Sequence, residues 1–191
     1  MIRIYDIDES FDFAEELRDM LPRLPQWRRQ KVLSYRRDID RFLCAKSFLM
    51  LEDMLREGFG LEKCPEFSFG SCGKPFFRDF PDIHFNISHC RRGIACVADT
   101  SSIGVDIEEI RYHEDLADVV LSPVELSIVL ASDERDVKFT ELWTLKESFL
   151  KLTGEGLRDD MRDILSGTSG ISFTTEVRRD SGYVCSTASQ T

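Results

Sequence analysis

The sequence predicts an α+β protein of two pseudo-symmetric halves, each a small, mostly antiparallel sheet packed on a long helix. Three observations lead there. Segments with strand and helix periodicity run in the order strand, helices, strands, and that order repeats after residue 100. Two stretches, 38–59 and 133–152, carry apolar residues at helical spacing over many turns. With 42% hydrophobic residues and fourteen Phe among 191, there is enough apolar material for one large domain or two small ones sharing a core. The halves are set at 1–100 and 101–191, on element order alone, since no residue-by-residue repeat is visible.

Taken in order, MIRIYDI at 1–7 alternates as a strand does. Residues 10–21 (SFDFAEELRDML) have helical spacing, with Ser10 as N-cap. Pro22 and Pro25 interrupt, and Pro25 suits the opening of a second helix. Asp38–Phe59 reads as a long amphipathic helix, buried through residues such as Phe42, Phe48, Leu51 and Leu55 and stopped by Gly58 and Gly60. Strands are expected at Glu66–Phe69, His84–Ser88, Gly93–Ala98 and Ile103–Glu108, with a Gly-rich turn at Gly70–Pro75. Asp133–Leu152 is the second long helix, with Phe139, Leu142, Leu145, Phe149 and Leu152 on one stripe and G-E-G-L at 154–157 ending it. Residues 171–177 and 182–188 read as a closing hairpin turned at Asp180–Gly182.

Composition narrows the function classes. A formal charge of −10 argues against nucleic acid or an anionic membrane as partner. No apolar run approaches the roughly 20 residues of a membrane span, and the N-terminus lacks a signal-peptide core, so a cytoplasmic protein is expected. The six cysteines are scattered without a C-x-x-C pair, which fits isolated thiols in a reducing compartment. Residues 23–46 are nonetheless strongly basic, with Arg28, Lys31 and Arg41 among eight cations against Asp38 and Asp40. Such a segment on an acidic protein is either a local anion site or a solvated helix face.

The chemistry lies in four short motifs. In I-G-V-D-I-E at 103–108, strand alternation puts Ile103, Val105 and Ile107 on one face and Gly104, Asp106 and Glu108 on the other. Gly104 leaves room, and two carboxylates there can reach one hard cation such as Mg²⁺, although an ordinary acidic strand face would look the same. In W-T-L-K-E-S-F-L-K at 143–151, Glu147 and Lys151 are neighbours four apart on a helix, away from the apolar stripe. They are either an i,i+4 ion pair or a third carboxylate and a phosphate-facing cation. G-K-P-F-F at 73–77 is a rigid turn with an exposed backbone, and F-N-I-S-H at 85–89 ends a strand with Ser88 and His89, both able to donate to phosphate.

Together, in this order, the four motifs resemble the 4′-phosphopantetheinyl transferase superfamily in its larger, surfactin-synthetase-activating (Sfp-like) type. That family joins a G-V-D-I-E-like strand to a W-x-x-K-E-S-x-x-K-like helix, and Gly104–Glu108 and Trp143–Lys151 match both. The likeness is strong over about 70–157, looser across the basic N-terminal third and weak after 157.

The resemblance implies an enzyme that moves the phosphopantetheine arm of coenzyme A to a serine of an apo acyl or peptidyl carrier protein. It implies coenzyme A in a cleft between the halves, with Asp106, Glu108 and Glu147 on Mg²⁺ and Glu147 taking the serine proton. Lys151, Ser88 and His89 would meet phosphate groups, and the Lys74 and Pro75 backbone would hold adenine, with the Lys74 side chain able to reach phosphate. Arg41, Arg28 and Lys31 would hold the 3′-phosphate, and Glu125 matches a further acidic position near the metal. Tyr112, Leu116, Val119 and Val120 would offer the carrier an apolar contact, or pack inside. Two halves in one chain suffice for a complete cleft, so a monomer is expected. The pathway, whether fatty-acid, polyketide or nonribosomal peptide, stays open. Alternatives are another Mg²⁺-dependent phosphotransferase or phosphodiesterase, or a non-catalytic relative that binds coenzyme A or a carrier.

Overall fold

The computed structural model describes residues 1–8, 10, 12–156 and 158–190. Phe11 of the expected first helix and Leu157 of G-E-G-L lie outside the described residues. The chain opens with β1 (Ile2–Asp6), α1 (Phe13–Met20), α2 (Gln26–Ser34) and α3 (Asp38–Phe59). α1 begins later than Ser10 implies, because the Asp12 carboxylate caps it by accepting from the N–H groups of Ala14 and Glu15. Ser10 donates to Asp8 instead. α3 has the expected limits and closes on Gly60 at φ 68°, a conformation that side chains disfavour.

A short hairpin follows, β2 (Ser68–Phe69) with β3 (Pro75–Phe76), then β4 (His84–His89), β5 (Gly93–Asp99) and β6 (Ile103–Glu109). α4 (Glu114–Val120) and α5 (Pro123–Ala131) lead to α6 (Arg135–Thr153), and β7 (Ile171–Arg178) and β8 (Tyr183–Gln190) end the chain.

The strands form two three-stranded antiparallel sheets, β1-β5-β4 and β6-β8-β7. In each, the first strand in sequence lies at one edge and the last lies in the middle. α3 packs on β5, α6 packs on β6 and β8, and the sheets abut where β6 passes β4 and β5. At that seam Asn86, 5% exposed, accepts the Val105 N–H at 3.1 Å, satisfying a buried backbone donor on the edge of β6. Tyr183, fully buried, donates to Asp6 at 2.6 Å and ties β8 to β1.

Burial departs from the simple alternation in one informative place. Both faces of β6 are covered, so Gly104 and Asp106 are as buried as Ile103, Val105 and Ile107. The covering element is α6, and it sits too close for an apolar stripe. A Cβ on Gly104 would lie 2.1 Å from the Ser148 carbonyl oxygen and 2.4 Å from the Leu152 nitrogen. Gly104 therefore makes room for a helix backbone, not for a cation as its place beside the carboxylates suggests. The buried side of α6 includes Thr144 and Ser148, with the Thr144 hydroxyl 2.7 Å from that of Ser186, while Leu142, Leu145 and Phe149 are only half-buried. Phe139 and Leu152 are buried as expected.

Candidate active site

β6 carries Asp106 and Glu108, and α6 lies across them carrying Glu147 and Lys151. Asp106 and Glu147 are 2% and 7% exposed, so Glu147, expected on an open helix surface, is enclosed, while Lys151 stays partly open. The Lys151 ammonium donates to Asp106 Oδ1 at 2.5 Å and to the Ser88 hydroxyl at 2.8 Å. Ser88 in turn donates to the same Asp106 oxygen at 2.9 Å, closing a three-membered network from β4, β6 and α6. Lys151 is thus held by Asp106 across the cleft and not by an i,i+4 pair along its own helix.

Two carboxylate oxygens are left over. Asp106 Oδ2 and Glu147 Oε1 are buried with no hydrogen-bond donor. Such an orphan costs roughly 1–3 kcal/mol, so two of them near each other fit a ligand that brings positive charge. Burial, and then the charge of Asp106, push Glu108 and Glu147 up to about 7, with Lys151 opposing the shift in both. Their mutual repulsion places all three carboxylates in one neighbourhood. Among the described residues they do not close into a ready coordination sphere. Their hard oxygen donors and the two orphaned atoms fit a Mg²⁺-like cation better than a softer metal.

Two adjoining cavities flank this network. The larger, about 420 Å³, is lined by Gly70, Lys74, Pro75, Phe76, Phe85 and Leu152 among others. The smaller, about 260 Å³, is lined by Cys72, Lys74, Asn86, Glu147, Lys151 and Gly154 among others. Lys74, Cys72 and Gly154 border both. The Lys74 ammonium donates to the Leu152 carbonyl at 2.8 Å, and its own carbonyl accepts from Gly70 at 2.9 Å. The side chain expected to reach phosphate therefore ends on α6. A third cavity, about 160 Å³, opens on the far side of Glu108 against Arg111, His113, Phe139 and Trp143.

The basic segment divides into two parts. Arg41 donates to the Tyr35 carbonyl at 2.9 Å and pairs with Asp38, while Lys31 stands 5.2 Å from the Tyr35 ring centre. Arg28 turns inward, donating to the Cys44 carbonyl at 2.8 Å with its guanidinium 5.2 Å and 5.5 Å from the Phe48 and Phe67 rings. His89 ends β4 with its side chain exposed. Desolvation, and then the charges of Lys151 and Arg28, lower its proton affinity, with Asp40 opposing.

Glu125 is a correction. Far from joining the carboxylate group, it accepts from its own Ser122 N–H in a capping box and pairs with Lys146 at 2.7 Å. Lys146 is fully buried and also donates to the carbonyls of Val120, Met161 and Arg162. Of the apolar contact expected after β6, Leu116 and Val119 are exposed, whereas Val120 is buried and Tyr112 packs edge-on against Phe139. Asn86, Cys72 and Lys146 were not singled out from the sequence. Asn86 stood in the N-I-S-H motif and Lys146 beside Glu147, but neither position says which way the side chain turns.

Residues 102–187, which include β6, α6 and most of the closing hairpin, match the profile of the 4′-phosphopantetheinyl transferase superfamily. The chain is 33% identical over 163 residues to a 4′-phosphopantetheinyl transferase of Bacillus subtilis, covering 82% of this chain and 72% of that relative. It belongs to the 4′-phosphopantetheinyl transferase superfamily. Within the superfamily it is similar to 4′-phosphopantetheinyl transferase Sfp of Bacillus subtilis strain 168, at 38% identity over 113 residues, 57% of this chain and 50% of the relative. It is also 38% identical over 95 residues to 4′-phosphopantetheinyl transferase gsp of Aneurinibacillus migulanus, covering 44% of this chain and 36% of that protein. The α+β fold with small antiparallel sheets agrees with membership of the superfamily, in its Sfp-like type. Asp106, Glu108, Glu147 and Lys151 all fall inside the stretch that carries the family match. No helix among the described residues is long and apolar enough to cross a membrane.

Proposed function

We propose that this chain transfers the 4′-phosphopantetheine of coenzyme A to a serine hydroxyl of an apo carrier protein, in a Mg²⁺-dependent reaction that releases adenosine 3′,5′-bisphosphate. The observation that carries the reading is the meeting of Asp106 and Glu108 from β6 with Glu147 and Lys151 from α6, beside a cleft walled by the Gly70–Pro75 turn. Coenzyme A lies in that cleft, its adenine against the backbone at Lys74 and Pro75 and its 3′-phosphate toward Arg41 and Lys31.

Asp106, Glu108 and Glu147 would hold the cation, which supplies charge neutralisation on the pyrophosphate. The protein's own work is chiefly to position and to offset charge. Lys151, fixed by Asp106 and Ser88, offsets charge on the phosphates. The serine oxygen forms a bond to the β-phosphorus as the bond to the bridging oxygen of the leaving nucleotide breaks. Glu147 takes the serine proton directly or through a water. His89 donates to phosphate. The reaction belongs in the cytoplasm, and one copy of the chain holds a complete cleft.

The test is a mass measurement of several apo carrier proteins incubated with the chain, coenzyme A and Mg²⁺. One phosphopantetheine should be gained, and both EDTA and Asp106→Ala should abolish the gain. No gain on any carrier sinks the reading.

A further inference from the structure

We infer that Lys74 is a positioning residue. Its ammonium fastens the Gly70–Phe76 hairpin of the N-terminal half to the C-terminal end of α6, and so sets how the nucleotide-binding turn stands against Glu147 and Lys151. The inference rests on the reading of that turn as the adenine-binding element given above.

The geometry is that of a staple. Lys74 Nζ lies 2.8 Å from the Leu152 carbonyl oxygen, a bond between residues 78 positions apart. Leu152 belongs to the last turn of α6, where carbonyls have no donor from within the helix and the helix dipole favours a cation. No carboxylate pairs with Lys74 among the described ion pairs, and burial alone lowers its proton affinity. A half-buried ammonium with a backbone carbonyl as its partner is spent on a contact between elements.

Gly154 completes the seat. It takes φ 74° as the C-cap of α6, and a Cβ built on it would lie 3.0 Å from Lys74 Cδ. The Lys74 stem thus crosses the cleft over a glycine and forms a wall common to the two cavities. Lys151 is the residue before Leu152, and Glu147 is one turn earlier on the same helix. Any shift of the hairpin against this helix end moves a nucleotide bound in the turn relative to both side chains, and catalysis tolerates little misplacement.

A contact to phosphate and a contact to α6 have different ligand dependence. Loss of a phosphate contact weakens only ligands that carry phosphate. Loss of the staple weakens every ligand held by the turn, adenosine included, and loosens the end of α6 with no ligand present.

The experiment compares the full chain with Lys74→Met, which keeps the stem and removes the ammonium, and with Lys74→Arg, which keeps a charged donor. Binding of coenzyme A and of adenosine is titrated by NMR, and hydrogen exchange is followed at the amides of 150–154 in the ligand-free protein. Lys74→Met is expected to weaken both ligands by a similar factor, about tenfold, and to speed exchange at 150–154, with partial recovery in Lys74→Arg. A loss confined to coenzyme A, or exchange unchanged from wild type, overturns the inference. Should Lys74→Met not fold, Lys74→Gln, whose shorter neutral side chain falls short of the Leu152 carbonyl, is expected to show the same pattern, and the same two outcomes overturn it. If the wild-type chain binds neither ligand, the functional reading fails, while faster or unchanged exchange in Lys74→Met still decides for or against the staple.

Discussion

A Cβ on Gly104 would stand 2.1 Å from the carbonyl oxygen of Ser148. β6 and α6 therefore touch backbone to backbone, two residues before Asp106 and one residue after Glu147. Carboxylates from two separate elements come into one neighbourhood because nothing larger than hydrogen separates the elements that carry them.

Gly104→Ala is expected to push α6 off β6. The methyl meets backbone atoms, which cannot rotate away, so a loss of at least about 2 kcal/mol is expected from overpacking. Denaturant unfolding measures it. Magnesium affinity should fall with stability, and a variant of wild-type stability would show that the contact relaxes freely.

The carboxylates also set a pH dependence. Glu108 and Glu147 sit at about 7 in the fold against an ordinary 4.5, so the folded state binds protons more tightly than the unfolded. Their contribution to stability is full below about pH 4.5 and is lost as pH rises to about 7. Glu147→Gln holds the neutral form at every pH. It should raise the melting temperature of EDTA-treated protein at pH 8, by an amount corresponding to on the order of 2 kcal/mol, and change it little at pH 5. Mg²⁺ should stabilise wild type more at pH 8 than at pH 5, and the variant less at both. An equal effect of Glu147→Gln at the two pH values would contradict this account.

Arg41 is held by the Tyr35 carbonyl and Asp38, with 30% of its side chain open to solvent. If it holds the 3′-phosphate, Arg41→Ala should raise KM for coenzyme A about tenfold or more and leave KM for the 3′-dephospho form nearly unchanged. Equal increases for both would remove Arg41 from that role.

Thiol chemistry offers a probe of the cleft. Burial pushes the thiols of Cys64, Cys90, Cys96 and Cys185 up to about 12 and raises that of Cys44, while Cys72 is exposed on the border of both cavities. One thiol per native chain should react rapidly with a disulfide reagent, and peptide mapping should find it at Cys72. Saturating coenzyme A should slow that reaction at least several-fold. Rapid labelling of a second cysteine, or no protection, would count against the cleft as described.

Much of this was legible in the sequence, because the long elements have strong periodicity. α3 fell at its expected limits, and the closing hairpin and the strands β4 to β6 were displaced by a residue or two at most. The association of Asp106, Glu108, Glu147 and Lys151 was implied by the family resemblance that the four motifs carry. What the sequence could not express were contacts made between distant segments. Glu125 has the right charge for the carboxylate neighbourhood, but a capping box and the buried Lys146 hold it elsewhere. The buried face of α6 was misread because a stripe of Leu and Phe outweighs Thr144 and Ser148 in any hydrophobic pattern, and only the close approach at Gly104 makes small residues the better fit. Ser10 and Asp12 are both good caps, and spacing alone could not choose between them.

β8, the last strand in the sequence, is also the middle strand of its sheet, paired to β6 on one side and β7 on the other. During synthesis the segment bearing Asp106 and Glu108 therefore leaves the ribosome long before its hydrogen-bonding partner exists, whereas β1, β5 and β4 can already close on one another. The nascent protein should mature in two stages, the β1-β5-β4 sheet first and the β6-β8-β7 sheet only once 183–190 has emerged. A stop codon anywhere before 183 would yield a chain whose acidic strand never finds its neighbour.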